Sequence, residues 1–277
     1  MAAALFGSVA TVGKATVSDV NPILLSCIAY FIAIAAFAPF ARRSTFRLPR
    51  GDYMLIAVAA IFGSVMATIL YFSGLQKTTA SDAAILSNGE QVFTIAFAVI
   101  FFHEKLKKAD VLAIALILTG VLVVTTNLEP ANLLLEMMVG NLLVLAATMC
   151  WAVDNNVSKK ITERIDVGGY ALVKSILSGL ILAIVVLLLQ IPVKVDNRSW
   201  PNIAYLGVVG YAGSLYFFLQ ALKRIGTVKT ILVFSTSAVF GLTFAVIFLR
   251  ESMSIYQVTA VAVMMTGVYI MNKNDRR

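Results

Sequence analysis

Ten apolar runs of about 17–24 residues, separated by short polar connections, constrain this chain more than any other feature. A hydrocarbon core is about 30 Å thick, and a helix rising about 1.5 Å per residue crosses it in about 20 residues. The runs fall at 2–18, 22–41, 52–72, 79–102, 109–126, 140–157, 169–190, 201–221, 228–249 and 255–272. A segment in lipid must satisfy its own backbone hydrogen bonds, so each run is expected to be helical. Hydrophobic residues make up 60% of the 277 and charged residues 13%, far from the roughly 45–50% and 25% of a soluble domain. The expected fold class is an all-α membrane protein with ten transmembrane helices and no soluble domain. The opening MAAALFGSVATVGKATVSD has no basic stretch ahead of its apolar residues and flows into the next run. It reads as a short first helix, not as a cleaved signal.

Loops rich in Lys and Arg stay on the cytoplasmic side. With the N-terminus inside, that side holds Arg42, Arg43, Arg47, Arg50, Lys105, Lys107, Lys108, Lys159, Lys160, Arg164, Lys223, Arg224, Lys273, Arg276 and Arg277. The other side holds only Lys14, Lys77, Lys194, Arg198 and Arg250, fifteen against five. The chain is thus expected as a multi-pass protein of the plasma (inner) membrane with both termini cytoplasmic. This asymmetry accounts for the net charge of +8, and the loops are too short for a nucleic-acid surface. The expected partners are the lipid bilayer and a small-molecule substrate, with no nucleic acid; the oligomeric state is not legible. Cys27 and Cys150 both lie within runs, where compact apolar packing is favoured over a disulfide.

Shifting the sequence by 147 residues lays QVFTIAFAVIFFHEKLKKADVLAIALILTGVLVV (91–124) on AVFGLTFAVIFLRESMSIYQVTAVAVMMTGVYIM (238–271), with fourteen of 34 positions identical. The identities include Glu104 with Glu251 and a shared Thr-Gly-Val. Earlier in the halves the match is weak, an offset of 145 pairing Val12 with Val157 and Lys14 with Lys159. Two five-helix repeats are expected, at 1–127 and 138–273, with a short cytoplasmic tail at 274–277. Five spans is an odd number, so the second copy enters the membrane the opposite way up. Such inverted-topology repeats are common in secondary transporters, whose binding sites lie near the midplane between the halves.

Two five-helix halves with a Glu closing the fourth and ninth spans resemble the drug/metabolite transporter superfamily and its EamA-type permeases. The resemblance covers nearly the whole chain. Its specific parts are SDAAILSNGEQVFTIAFAVIFFHEKL, TGVLVV, and CWAVDNNVSKKI followed by YALVKSILSGL. These are similar to a subgroup with a Glu in the fourth helix, Asp-Asn-Asn in the sixth and Lys in the seventh. Many relatives carry a Pro after the fourth-helix Glu, where this chain has Gln91. Many also carry an Arg early in the second helix, where this chain has CIAY, so a binding mode that depends on that Arg is not carried over.

Glu90 lies about midway along the run 79–102, near the bilayer centre. An acid there costs about 2.5–3.5 kcal/mol on insertion scales, so it is expected to face a cavity or a partner. It reads either as a proton-coupling or substrate-amine site, or as a neutral Glu bonded to a neighbouring helix. Ser87, Asn88 and Gln91 share the stretch as candidate cavity residues, while Gly89 fits close helix approach. The repeat sets Ser237 opposite Glu90, so polarity is kept in both halves and the acid in only one. Asp154 lies about a turn before the cytoplasmic end of span six, and Lys174 little more than a turn into span seven. Their depths match, which reads as a cytoplasmic gate or charged-substrate site, or as a static pair or a snorkelling lysine. Asn155 and Asn156 are expected nearer the surface. Glu104 and Glu251 each precede a new helix and are expected to cap it structurally. Trp151 and Tyr216, with Tyr71, Tyr211 and Gln220, are candidate cavity walls.

An enzyme is not expected. HEKLK at 103–107 lacks the second histidine of H-E-x-x-H, and His103 is the only histidine. No phosphate-binding G-x-x-x-x-G-K-[ST] occurs and no cofactor is expected. The expected function is secondary transport by alternating access, with Glu90 as the proton-coupling or amine-recognition residue. The family resemblance implies export of small metabolites, most often amino acids or related compounds. The alternatives are a transporter of cationic drugs or quaternary amines and, in other classes, a lipid scramblase, a membrane scaffold or an intramembrane hydrolase using Asp154.

Overall fold

Every regular element among the described residues is helical. The computed structural model describes residues 1–40, 49–102, 108–126, 135–225, 230 and 233–275. Glu104, His103, Lys105, Lys107, Lys229, Arg42, Arg43, Arg47, Arg276 and Arg277 lie outside the described residues. In chain order the helices are α1 (Ala2–Val17), α2 (Pro22–Phe37), α3 (Gly51–Lys77), α4 (Ala80–Leu86), α5 (Gly89–Phe102) and α6 (Lys108–Thr126). They continue as α7 (Leu135–Thr162), α8 (Val167–Leu188), α9 (Asn197–Ile225), α10 (Ser237–Leu249) and α11 (Ile255–Asp275).

Five helical stretches, Pro22–Phe40, Gly51–Lys77, Met137–Thr162, Val167–Leu188 and Asn197–Ile225, are long and apolar enough to cross a membrane. Ala2–Val17, Val111–Val124, Ser237–Leu249 and Ile255–Ile270 are apolar and shorter. The chain is an all-α membrane protein. The run 79–102 differs from the single helix expected of it. Its helix breaks at Ser87–Asn88, where Asn88 N–H donates to Ile85 O, Glu90 N–H to Ser87 O and Gln91 N–H to Asn88 O. Ser87 starts the break by turning its hydroxyl back onto Ala83 O at 2.7 Å, a local bond that competes with the helical ladder.

Local chemistry fixes several helix starts. Asn21 accepts from Ile23 N–H at 2.9 Å ahead of Pro22, Thr79 accepts from Asp82 N–H at 3.0 Å, and Asp166 accepts from Gly169 N–H at 3.1 Å. Ser254 and Gln257 form a reciprocal capping box at the start of α11, with bonds of 3.0 and 3.1 Å. At the far end of α3, Lys14 donates to Leu75 O at 2.8 Å and Thr78 O at 2.6 Å, closing carbonyls that the helix leaves unpaired.

The halves share irregularities as well as helices. Helix α3 turns π-helical over Ala60–Met66, and α9 does so over Leu206–Gly213; a shift of 147 carries 60–66 onto 207–213. The tightened turn at Ser87–Asn88 has a counterpart before α10, where Thr236 N–H donates to Val233 O, Ala238 N–H to Ser235 O and Val239 N–H to Thr236 O. Packing follows the same exchange. Helix α1 lies on α10 and on the π segment of α9, while α7 lies on α5 and α3; α2 pairs with α8 and α6 with α11. Each of these contacts joins the part of the chain before residue 127 to the part after residue 138.

Candidate functional site

Trp151, Asp154, Asn155 and Ser158 recur at the three- and four-residue spacing that makes one stripe of a helix, and α7 turns that stripe inward. Helix α8 presents Tyr170 and Lys174, four residues apart, toward the same place. Helix α5 begins beyond the Ser87–Asn88 break, so Glu90 stands in its first turn. Glu90, Trp151, Asp154, Asn155 and Lys174 line a cavity of about 70 Å³, with Ser158 and Tyr170 behind the charged pair. One water needs about 10–15 Å³ by the same measure, so the space holds several.

Lys174 is 2% exposed and its ammonium donates to Asp154 Oδ2. The other carboxylate oxygen of Asp154 accepts from Ser158 Oγ at 2.9 Å, and that hydroxyl meets the Tyr170 hydroxyl at 2.6 Å. The Lys174 ammonium also lies 6.0 Å from the centre of the Tyr170 ring. Glu90 accepts from the side-chain amide of Asn155. Neighbouring residues of one α7 turn thus hold the lysine and the glutamate. Expected as two separate constellations, Glu90 and the Asp154–Lys174 pair line one cavity. Asn155 is not near a helix end as expected: α7 runs on to Thr162, beyond the expected end at 157, and Asn155 is buried. Asn156 donates to Ala152 O within its helix and to Thr94 O of α5.

The rest of the wall is aromatic and small. Tyr30 of α2 and Tyr211 of α9 face each other with ring centres 5.1 Å apart. Phe6 packs on Trp151 at 5.4 Å and on Phe234 at 5.0 Å, and Phe234 on Phe218 at 4.7 Å. The two π segments contribute Gly63 and Gly210. A Cβ on Gly63 would overlap the Asp154 side chain, and one on Gly210 would come within 3.0 Å of a Val9 methyl. Gly63 and Gly210 match at the 147 shift, and Val9 matches Asp154 at the 145 shift. The two contacts are therefore the same contact in the two halves, charged in one and apolar in the other.

The remaining candidates lie elsewhere. Ser87 and Ser237 border a packing gap beside Tyr71 that is too tight for water. Asn88 accepts from Gln91 Nε2 at 3.0 Å and turns its own amide to Met264 Sδ at 3.8 Å. Tyr216 stacks on Phe40 at 5.2 Å and accepts from Gln220. Glu251 caps a helix, but not the one that follows it. It accepts from the backbone of Ala80 and Ser81, both at 2.9 Å, at the start of α4 in the other half. Cys27 and Cys150 are buried free thiols. Phe6, Tyr30, Ser214, Phe218 and Phe234 line the cavity without having stood out in the sequence. Gly63 and Gly210 were open to detection, since carrying the 147 shift back beyond the aligned block pairs them.

The sequence profile of the EamA-like transporter family matches residues 1–126 and again residues 138–273. An uncharacterized transporter of Methanothermobacter thermautotrophicus is 31% identical over 98% of this chain and 84% of its own. An uncharacterized transporter of Bacillus subtilis is 24% identical over 87% of this chain and 79% of its own. A probable amino-acid metabolite efflux pump of Salmonella typhimurium is 27% identical over 68% of this chain and 66% of its own. A crystal structure superposes with a TM-score of 0.76 at 20% identity, covering 100% of this chain and 96% of that one, a likeness of fold. The double match and the relatives make this chain a membrane transporter and not an enzyme; it belongs to the EamA-like transporter family.

Proposed function

We propose that the chain is a secondary active transporter that moves small amine-bearing metabolites, amino acids or related compounds first, by alternating access. In this reading ten spans form two inverted five-helix halves, 1–127 and 138–273, in the plasma membrane with both termini cytoplasmic. One observation carries it: Glu90 and the Asp154–Lys174 pair share a cavity between the halves whose other walls are aromatic. Glu90 accepts a substrate ammonium or a coupling proton. Lys174, released from Asp154, meets a carboxylate, and the rings cover the apolar part of the substrate. The amino-acid efflux named for the Salmonella relative points the same way.

A second reading is favoured by the resting position of Lys174. While it is held by Asp154, the cavity offers a cation the Glu90 carboxylate and ring faces, as a quaternary amine would require. Proteoliposomes with an imposed proton gradient decide between the two, comparing labelled amino acids with a quaternary amine in wild type and Glu90→Gln. Gradient-driven amino-acid uptake that the variant loses is the expected result. Wild-type uptake and pH dependence in Glu90→Gln would refute the role given to Glu90.

A further inference from the structure

We propose that Glu251, Gln257 and Asp82 form a latch that holds the transporter closed on the face opposite the basic loops, and that its breaking opens the central cavity to that face. The proposal rests on the transporter reading above. It begins from where the halves are tied together. At the end of the bundle where α1, α3 and α10 finish and α4, α7 and α11 begin, side chains of one half bind the other at several points. Both oxygens of Glu251 are engaged by the first turn of α4: Oε1 by Ala80 N–H, and Oε2 by Ser81 N–H and, at 2.6 Å, Ser81 Oγ. Gln257 Nε2 donates to Asp82 Oδ1 at 2.7 Å, and Thr78 Oγ1 donates to Asn141 Oδ1. Residues 78–82 belong to the first half, and Asn141, Glu251 and Gln257 to the second.

The local structure is arranged to present these groups. Arg250 ends α10 in the left-handed region at φ 55°, an uncommon conformation for a residue with a side chain, and the turn delivers Glu251 to α4. The capping box leaves the amide nitrogen of Gln257 free to reach Asp82. Asp82 is 1% exposed, and the pairing is made by neutral donors. Lys14 is the cation near Glu251; its ammonium is spent on the end of α3, and it does not neutralise the carboxylate directly.

Two further observations distinguish a latch from a permanent brace. At the opposite end Arg164 meets Asp52 across the halves at 3.8 Å, with 62% of the arginine side chain exposed, a contact of small worth. Among the described residues the strong polar ties between the halves are at the Glu251 end, while at the other end Phe37 and Ile56 join Ile161, Val167 and Leu222 in an apolar cluster. The Glu251 bonds also grip a helix of seven residues that runs straight into the Ser87–Asn88 break and Glu90. Freeing the start of α4 therefore frees the segment that positions Glu90. Hydrogen bonds at a face near water exchange for bonds to water at a modest net cost, which buried apolar packing cannot do.

Thiol labelling tests this in the full-length chain. Ser214, which lines the cavity, is changed to Cys in a Cys27→Ala, Cys150→Ala background. A membrane-impermeant maleimide is then applied from either face of sealed, oriented vesicles. From the face opposite the basic loops, labelling is expected to rise at least tenfold in Glu251→Gln and, independently, in Gln257→Leu, which leaves the Glu251 cap intact. Unchanged labelling in both variants would overturn the latch, as would an equal rise from both faces, the mark of a generally loosened protein. Labelling does not require flux, so a protein that labels as expected yet carries neither amino acids nor cations refutes the transport reading and leaves the latch standing.

Discussion

Removing one partner of the Asp154–Lys174 pair should cost more than removing both. Lys174 is 2% exposed and Asp154 6%, so neither charge reaches bulk water and each depends on its partner and the small cavity between them. In Lys174→Met the aspartate keeps Ser158 as its donor and loses the charge that neutralises it. In Asp154→Asn the ammonium is left facing an uncharged amide and the Tyr170 ring. Breaking a buried pair in this way costs about 3–5 kcal/mol, whereas replacing both members with neutral groups of similar volume is often close to neutral. Met retains most of the lysine stem and Asn retains the acceptor for Ser158. The double variant Lys174→Met/Asp154→Asn should therefore lie within about 1 kcal/mol of wild type if the pair follows that pattern. At about 2–4 °C per kcal/mol, each single change lowers the unfolding midpoint by roughly 6–20 °C and the double change by a few degrees. Thermal unfolding in detergent, followed by tryptophan fluorescence, reads all four proteins. Single losses below about 1 kcal/mol, or losses that simply add in the double variant, would refute the view that these charges neutralise each other in a buried site.

Two further substitutions test the cavity wall. Gly63→Ala must displace Asp154, whereas Gly210→Ala meets only a Val9 methyl that can give way. Gly63→Ala should lose about 1–3 kcal/mol and at least tenfold in flux while Gly210→Ala loses less of both, checked by unfolding midpoints and proteoliposome uptake; equal losses would contradict the reading. Asn155→Leu removes the amide that donates to Glu90 and should cost about 1–3 kcal/mol, with a weaker apparent affinity for an amine substrate in concentration-dependent uptake.

Helix existence and the weight of Glu90 were readable because lipid makes both conspicuous. A backbone must be helical to cross, and an acid in hydrocarbon needs a reason. Depth counting also put Asp154 and Lys174 at one level, where the structure pairs them. The cavity as a whole was not readable. Phenylalanines such as Phe6, Phe218 and Phe234 are background in an apolar span, and only packing selects the ones that form a wall. Counting along 79–102 as one helix placed Ser87, Asn88, Glu90 and Gln91 together; the break at Ser87–Asn88 sends Asn88 toward Met264 and Glu90 toward Asn155. Glu251 was read against the helix that follows it in sequence. Its donors lie 170 and 171 residues away, a pairing that no local pattern reveals.

The repeat explains why the site is built as it is. Backbone features are doubled: a π segment with an inward glycine in α3 and α9, a tightened turn before α5 and α10, and a side chain of α7 or α1 against each glycine. The charges of the cavity are not doubled. Asp154 stands where the other half has Val9, Glu90 where it has Ser237, and Lys174 where the 147 shift gives Cys27. Two equivalent backbone halves can exchange conformations with little difference in packing energy, as the proposed alternating access requires. A charged cluster on one side of that near-symmetry leaves a single place for a polar substrate to bind. Two such clusters would offer the substrate a second place to rest in each state. Confining the charges to one copy, while keeping the glycines and turns in both, is the arrangement by which the proposed symmetric exchange would keep a single site.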